Sequence, residues 1–427
     1  MADTGTSVTK MKQKKKKIKA FHQKKKLFRA QDPKISVLMW GICHSINELG
    51  RVPPNVMLLK EDFKAFGKVI IKNHNYGNDN MPSHFKFKEY CPLVFQNLRE
   101  RFGIDDQLYA RSFQEALQMS ESSGNSGAKL FETGDKAFIV KSIESEEVEM
   151  MHSLLPKYHE YVVESHGETL LPQYLGMYRV TVDGKEHYFI TFRTVFSLTK
   201  TIHKKYDLKG SRVSREASGA EKSKDLPTFK DVDFTRDNVK LYVGNEKKAD
   251  LLQKIRNDVE FLAAQNLMDY SLLVGIHEED RNESDDDLDA DVTNGRSDDS
   301  AEESPSSPSG ERPLMGRSNS VTSGEVPMDG ERYAVNSSRD SKHEIYYLGI
   351  IDVLTYYGSN KKAAHAAKTV KHGVKSRIRR QSSDLSRSRK SPEESETPDY
   401  KAGAEISTVN PAYYATRFMD FLEEILL

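Results

Sequence analysis

The sequence predicts an α+β chain in two parts that share a cleft, and three observations carry the prediction. Residues 129–195 read as strands with one helix among them, whereas the chain after 196 turns helical. An apolar β run returns at 343–354. The length of 427 residues is enough for two lobes around a cleft.

The elements follow in order. Asp32-Pro33 is a cap followed by a first-turn proline, and Ile35, Leu38, Ile42, Ile46 and Leu49 continue at helical spacing. A second helix is expected around "EYCPLVFQNLRERFG", closed by Gly103. The flexible stretch "SESSGNSGAK" then precedes the strand-rich segment. "KAFIVKSI" is a β run, "SEEVEMMHSLLPKYHEYVV" a helix, and "MYRVTVDGKEHYFITF" two β runs joined by Asp183-Gly184, a strong hairpin signal. Further on, "EKKADLLQKIRNDVEFLAAQN" sets Leu251, Leu252, Ile255, Val259 and Leu262 on one helical face. Residues 278–342 are acidic, rich in Ser, Gly and Pro and without periodicity, which reads as a disordered insert. After the β run "HEIYYLGIIDVL", a second insert rich in Ser, Arg and Pro covers 374–401. An amphipathic helix, "PAYYATRFMDFLEEILL", closes the chain. This divides the chain into a basic arm at 1–30, a first lobe at 31–195 and a second at 196–427 that carries both inserts.

Lys plus Arg and Asp plus Glu both number 64, so the mean charge excludes nothing. Its distribution is more telling: residues 10–29 are almost wholly basic and 278–303 almost wholly acidic. A basic run suits nucleic acid, an anionic membrane, a nuclear-import signal or plain water. From this stretch alone a plain solvated tail is the first reading, and as a function for the chain nucleic-acid binding ranks last, because only charge supports it. Cys43 and Cys91 lack metal-ligand spacing and read as packing residues in a reducing compartment. The charged N-terminus is no secretory signal, and no apolar stretch is long enough to span a bilayer, so membrane contact is expected to be peripheral.

Lys141, inside "FIVK", is either a strand lysine facing solvent or a phosphate-binding lysine oriented by a carboxylate of the helix that follows. Glu146 and Glu149 are both available on that helix. "SSGNSGA" would let backbone amides approach phosphates, although it lacks a GxGxxG pattern. Asp269, at the mouth of "LMDYSLLVGIH", and Asp352, at the end of "YYLGIID", raise the same question twice. An unpaired carboxylate beside a buried apolar run is costly, so each caps a turn or is held there for chemistry. With the upstream lysine they form a nucleotide–magnesium constellation in which one Asp accepts a hydroxyl proton and the other holds Mg²⁺. "HKKYDLKGSRVSREAS" gathers Lys204, Lys205, Lys209, Arg212 and Arg215, suited to an anionic head group or to a solvated loop. "NKKAAHAAKTVKHG" places Lys361, Lys362, Lys368 and Lys371 around small alanines, a basic element for anionic lipid or a flexible loop.

Taken together, "FRAQDPKISVLMWG", "PSHFKFKEYCPLVF", "NLRERFGIDDQ", "TLLPQYLGMYRVTVDG", "KYDLKGS…SREAS", "MDYSLLVGIH", "KKAAHAAKTVKHG" and "AGAEISTVNP" closely resemble the type II phosphatidylinositol phosphate kinases, the phosphatidylinositol 5-phosphate 4-kinases. The resemblance covers residues 27 to 427 apart from the inserts. It implies a kinase-like fold with an antiparallel-sheet N-terminal lobe, a smaller mixed C-terminal lobe and a flat basic membrane face. It also implies transfer of the ATP γ-phosphate to the 4-hydroxyl of phosphatidylinositol 5-phosphate. By that resemblance Lys141 is the ATP lysine, Asp269 the catalytic carboxylate and Asp352 the Mg²⁺ ligand. The nucleotide would also meet Gly127, Val140 and the linker residues Thr194, Val195 and Phe196, while Lys209 and Arg215 would meet the head group. The activation segment, with Lys361, Lys362, Ala364, Lys368 and Lys371, would choose the lipid. Type I relatives, which phosphorylate the 5-hydroxyl, carry Glu where Ala364 stands. Homodimers form through the N-terminal lobes, with helix 35–49 and the strand after it as candidates.

Two departures qualify the resemblance. The 374–401 insert interrupts the activation segment and offers Ser382, Ser391-Pro392 and Thr397-Pro398 to regulatory protein kinases, where added phosphate would cancel charge beside a membrane. Thr194 stands where several relatives have Asn, which favours ATP over GTP. The competing readings are a type I-like 5-kinase and a membrane-bound scaffold or sensor of low activity. The expected location is the cytoplasm and, peripherally, plasma or endosomal membranes, with the nucleus as a further site.

Overall fold

The computed structural model of the chain describes residues 28, 30–51, 57–72, 81–120, 127–280, 333–339, 343–358 and 410–427. In chain order the elements are α1 (Pro33–Leu49), β1 (Phe66–Ile71), β2 (Phe85–Tyr90), α2 (Pro92–Arg101), α3 (Asp106–Ser112), β3 (Gln118–Ser120), β4 (Leu130–Glu132) and β5 (Phe138–Ile143). There follow α4 (Ser145–Glu164), β6 (Tyr174–Val182), β7 (Lys185–Arg193), β8 (Lys204–Leu208), α5 (Gly219–Lys222), β9 (Thr228–Lys230) and α6 (Asp231–Arg236). The last are α7 (Asn245–Ala264), β10 (Ser271–Glu278), β11 (Ala334–Asn336), β12 (Glu344–Ile351) and α8 (Pro411–Ile425).

Two sheets organise this α+β chain. The first is antiparallel throughout, in the order β1-β2-β6-β7-β5-β4-β3. The second runs β11-β12-β10-β8-β9 and is mixed, because β8 and β9 are parallel. Local chemistry explains the best-predicted elements. Asp32 caps α1 by accepting from the Lys34 amide at 3.1 Å, and Ile35, Leu38, Ile42 and Ile46 are buried beneath it. The β6/β7 hairpin turns at Asp183 and Gly184, with φ of 50° and 76°, the pair of positive values that a two-residue turn needs to match strand twist. Leu251, Ile255, Val259 and Leu262 are the buried stripe of α7. Cys43 and Cys91 are buried, and burial pushes both thiols up to about 12, as packing cysteines require.

Three expectations are corrected. The stretch expected as a second helix starts as strand, since Glu89 and Tyr90 end β2 and the helix begins only at Pro92. The basic stretch after His203 is no loop at its start: Lys204–Leu208 is β8, paired with β10. The insert expected over 278–342 is too wide at both ends. Glu278 completes β10, Tyr333 is buried, and β11 pairs with β12 through Ala334 and Val335. These short pieces carry too few residues to show a period.

Candidate functional site

β10 and β12 pair with Ser271 opposite Ile351. Pairing resumes outside the sheet, where the Met268 amide donates to the Thr355 carbonyl at 3.0 Å and the Tyr357 amide to the Asn266 carbonyl at 2.9 Å. Asp269 and Asp352 occupy the gap between the two paired stretches, on opposite strands. Both have left-handed backbones, with φ of 66° and 59°. Such a conformation is costly outside glycine and persists only where neighbours enforce it, commonly at functional sites.

Each aspartate faces a lysine from elsewhere in the chain. Lys141 Nζ lies 2.7 Å from Asp352 Oδ1, joining β5 of the first sheet to the end of β12 in the second. Lys209 Nζ donates to Asp269 Oδ1 at 2.9 Å and to its carbonyl at 2.6 Å. The loop that carries Lys209 is held from behind by Asp231. Its Oδ1 accepts from the Lys209 and Ser211 amides at 2.9 and 3.3 Å, and its Oδ2 from Arg215 Nε at 2.8 Å. Arg215 also reaches Asp207 Oδ1 at 2.8 Å. Burial pushes the Asp207 carboxyl up, but the Arg215 charge leads the groups that bring it below the ordinary range. Arg215 is therefore placed otherwise than head-group contact requires: it is 8 % exposed and clamped by two carboxylates.

The linker Thr194, Val195 and Phe196 leaves β7 and packs against the second sheet through two glycines. A Cβ on Gly275 would stand 2.6 Å from the Phe196 ring, and one on Gly349 would stand 2.6 Å from Val195 Cγ2. Strand glycines of this kind permit close approach. Gly349→Ala is expected to cost about 1–3 kcal/mol of stability by overpacking against Val195. Urea denaturation checks this, and an unchanged midpoint would mean that the linker can relax away from β12.

The remaining candidates divide. Gly127, with φ of 68°, opens the approach to β4, whose Leu130 lies opposite Lys141. Val140 is fully buried on the strand face opposite Lys141 and does not join the cluster. Neither Glu146 nor Glu149 meets Lys141: Glu146 accepts from the Ser145 hydroxyl, and the Glu149 side chain is exposed. Glu147 of α4 instead accepts from the Glu144 amide at 2.9 Å. Burial pushes up the phenol of Tyr174, the first residue of β6, and the charges of Asp352 and Glu147 push it further. Lys361, Lys362, Ala364, Lys368 and Lys371 lie outside the described residues, as do Ser382 and the 374–401 insert.

A second joint links the two sheets. Asp258 on α7 accepts from the Tyr161 hydroxyl at 2.6 Å, the Thr169 hydroxyl at 2.5 Å and the Leu170 amide at 2.8 Å. The Leu170 carbonyl accepts the Ile350 amide at 2.7 Å, two residues before Asp352. The sequence reading missed Asp258, which looks like one more polar residue on an amphipathic helix.

A strand lysine bound to one strand-end aspartate, beside a second aspartate bound by another lysine, is in this fold an arrangement compatible with a phosphotransferase of the kinase class. Residues 111–425 match the family described as Phosphatidylinositol-4-phosphate 5-Kinase, and the chain belongs to that family. It is 49 % identical over 416 residues to phosphatidylinositol 5-phosphate 4-kinase type-2 beta of Homo sapiens, covering 95 % of this chain and 92 % of that protein. It is 48 % identical over 435 residues to the type-2 alpha protein of Gallus gallus, covering 100 % of both. The Homo sapiens type-2 alpha protein is 47 % identical over 429 residues, covering 99 % of this chain and 98 % of that protein.

Proposed function

We propose that this chain transfers the γ-phosphate of ATP to the 4-hydroxyl of phosphatidylinositol 5-phosphate, producing phosphatidylinositol 4,5-bisphosphate. The observation that carries the reading is the pair of left-handed aspartates, each bound by a lysine, in a chain about half identical to 5-phosphate 4-kinases along its whole length. The family is described as a 5-kinase, but the relatives just compared are 4-kinases, and Ala364 agrees with them. ATP as co-substrate follows from the kinase family, and Thr194 favours it over GTP.

In this reading Asp269 accepts the proton of the attacking hydroxyl, and Lys209 holds that carboxylate in place and meets the head group, supported by Arg215. Lys141 neutralises the transferring phosphate. Asp352 would hold Mg²⁺, which supplies neutralisation of the nucleotide phosphates when bound. Among the described residues no three His, Cys, Asp or Glu side chains converge as a protein cage. One or two carboxylates suit Mg²⁺, which keeps waters and phosphate oxygens as its other ligands. The two sheets would form the lobes of the kinase-like fold, with a flat basic face toward an anionic membrane.

A homodimer through the edge of β1 is supported by Phe66 and Ile70, exposed by 56 % and 49 %. The apolar face of α1 is already spent on the chain's own core. Regulation by protein kinases acting on 374–401 belongs to the same proposal, as does peripheral location at plasma or endosomal membranes, the cytoplasm and the nucleus. No helix among the described residues is long and apolar enough to cross a membrane.

The test presents the purified protein, with Mg-ATP, to vesicles carrying either monophosphate lipid and identifies the ring position phosphorylated. Transfer to the 4-hydroxyl of the 5-phosphate lipid is expected, and its loss in Lys141→Ala. Preferred transfer to the 5-hydroxyl of the 4-phosphate lipid would overturn the substrate. Vesicle binding without transfer to either lipid would favour the scaffold. Sedimentation of the same preparation reports the dimer.

A further inference from the structure

α8 begins at a capped proline: the Asn410 side chain accepts from the Ala412 amide at 3.0 Å. Its buried stripe, Tyr414, Phe418, Leu422 and Ile425, packs toward α7. Tyr414 and Arg417 do something that stripe does not require. The Tyr414 hydroxyl donates to the carbonyl of Tyr270, the residue that follows Asp269. The Tyr414 and Phe418 rings both meet the Tyr270 ring edge-on, with centroids 4.7 and 5.3 Å away. One turn along, an Arg417 guanidinium nitrogen lies 3.5 Å from the Lys209 carbonyl, and its carbon stands 5.0 Å from the Tyr414 ring centroid. Gly210 follows Lys209 with φ of 63°, and a Cβ there would stand 3.2 Å from the Arg417 carbonyl and 3.1 Å from Phe421 Cβ. One short stretch of helix therefore touches the backbone beside both members of the Asp269–Lys209 pair.

We propose that Tyr414 and Arg417 are positioning residues for phosphoryl transfer, with α8 setting the separation of Asp269 and Lys209 by gripping the carbonyls of Tyr270 and Lys209. The proposal rests on the functional reading above and assigns it a part that neither aspartate nor lysine supplies. Asp269 has a left-handed backbone, which Asp adopts more readily than most residues but at some cost, and contacts on the peptide after it help to hold it there. Tyr414 is suited to this. Its phenol is pushed up, first by burial and then by the nearby charge of Asp269, so it stays a donor. Reaction geometry tolerates little displacement, which gives a contact behind the carboxylate leverage over turnover without contact with substrate.

Tyr414→Phe removes only the hydroxyl, and Leu422→Ala removes packing on the same buried stripe two turns beyond Tyr414, away from both carbonyls. Tyr414→Phe is expected to lower kcat about tenfold with KM for ATP held within about two-fold, the pattern of an interaction used in the transition state. Leu422→Ala should lower Tm more while leaving kcat within about two-fold. Amide hydrogen exchange supplies a readout that needs no turnover: in Tyr414→Phe the amides of 268–271 and 209–211 should exchange faster while those of β6 and β7 do not change. Unaltered exchange at both stretches would overturn the proposal, as would a kcat that follows Tm alike in both variants. If the unmodified chain transfers no phosphate to lipid, the functional reading fails, and the exchange result alone then decides whether α8 holds the pair.

Discussion

Asp269→Asn is expected to lower kcat by about 10³-fold, within the range that a positioned general base contributes, while leaving the fold intact. The amide oxygen can still accept from Lys209, and asparagine tolerates the left-handed backbone of this position nearly as well as aspartate does. What the variant lacks is a site for the hydroxyl proton. The measurement is kcat on 5-phosphate lipid vesicles beside a thermal melt of the same preparation. Near-normal turnover would make Asp269 a turn residue, and a fall in kcat matched by a collapsed melt would make it a structural one. Loss of turnover with an unchanged melt identifies the base.

The second large effect concerns stability. Asp258→Ala leaves the Tyr161 hydroxyl, the Thr169 hydroxyl and the Leu170 amide without their buried acceptor. The expected cost is about 3–5 kcal/mol, because orphaned buried donors lose their water as well as their partner. Activity should fall with it, since the Leu170 carbonyl holds Ile350, two residues from Asp352. Burial pushes the Asp258 carboxyl up from 3.8 to about 6, an effect that the three donors only partly offset. The folded state thus binds this proton more tightly than the unfolded chain. The proton-linked part of the Asp258 contribution to stability is full below about pH 4, is lost as pH rises through about 6, and amounts to about 3 kcal/mol across that window. Asp258→Asn keeps an acceptor and cannot titrate, so its stability difference between about pH 4.5 and about pH 7 should lack this component. Urea midpoints at the two pH values decide it, and parallel profiles for the two proteins would remove Asp258 as the source.

Much of the frame was legible beforehand, for local reasons. Asp32-Pro33 announces α1, Asp183-Gly184 announces the β6/β7 hairpin, and the spacing of Leu251, Ile255, Val259 and Leu262 announces α7, because caps, turns and amphipathic periods act over a few residues. β8 and β11 escaped: Lys204–Leu208 carries its lysines on a strand that a basic composition disguises, and Ala334–Asn336 is too short for any pattern. Asp269 and Asp352 stood out as carboxylates at the ends of apolar runs. The partner of Lys141 did not, and the two glutamates of the helix that follows it, Glu146 and Glu149, were plausible only because they were near in sequence.

By itself, then, the sequence determined the long helices, the β6/β7 hairpin, the family and the two strand-end aspartates. Only the tertiary structure decided how the charges pair. Lys141 and Asp352 are 211 positions apart, Tyr414 and Tyr270 are 144 apart, and Tyr161 and Asp258 are 97 apart. Hydrogen bonds and ion pairs act over a few ångströms of space, so no local pattern records which distant group will arrive there. Arg215 shows the consequence most plainly: in sequence it is a cation offered to a head group, and in the fold it is the buried clamp between Asp207 and Asp231, the latter also accepting from the Lys209 amide.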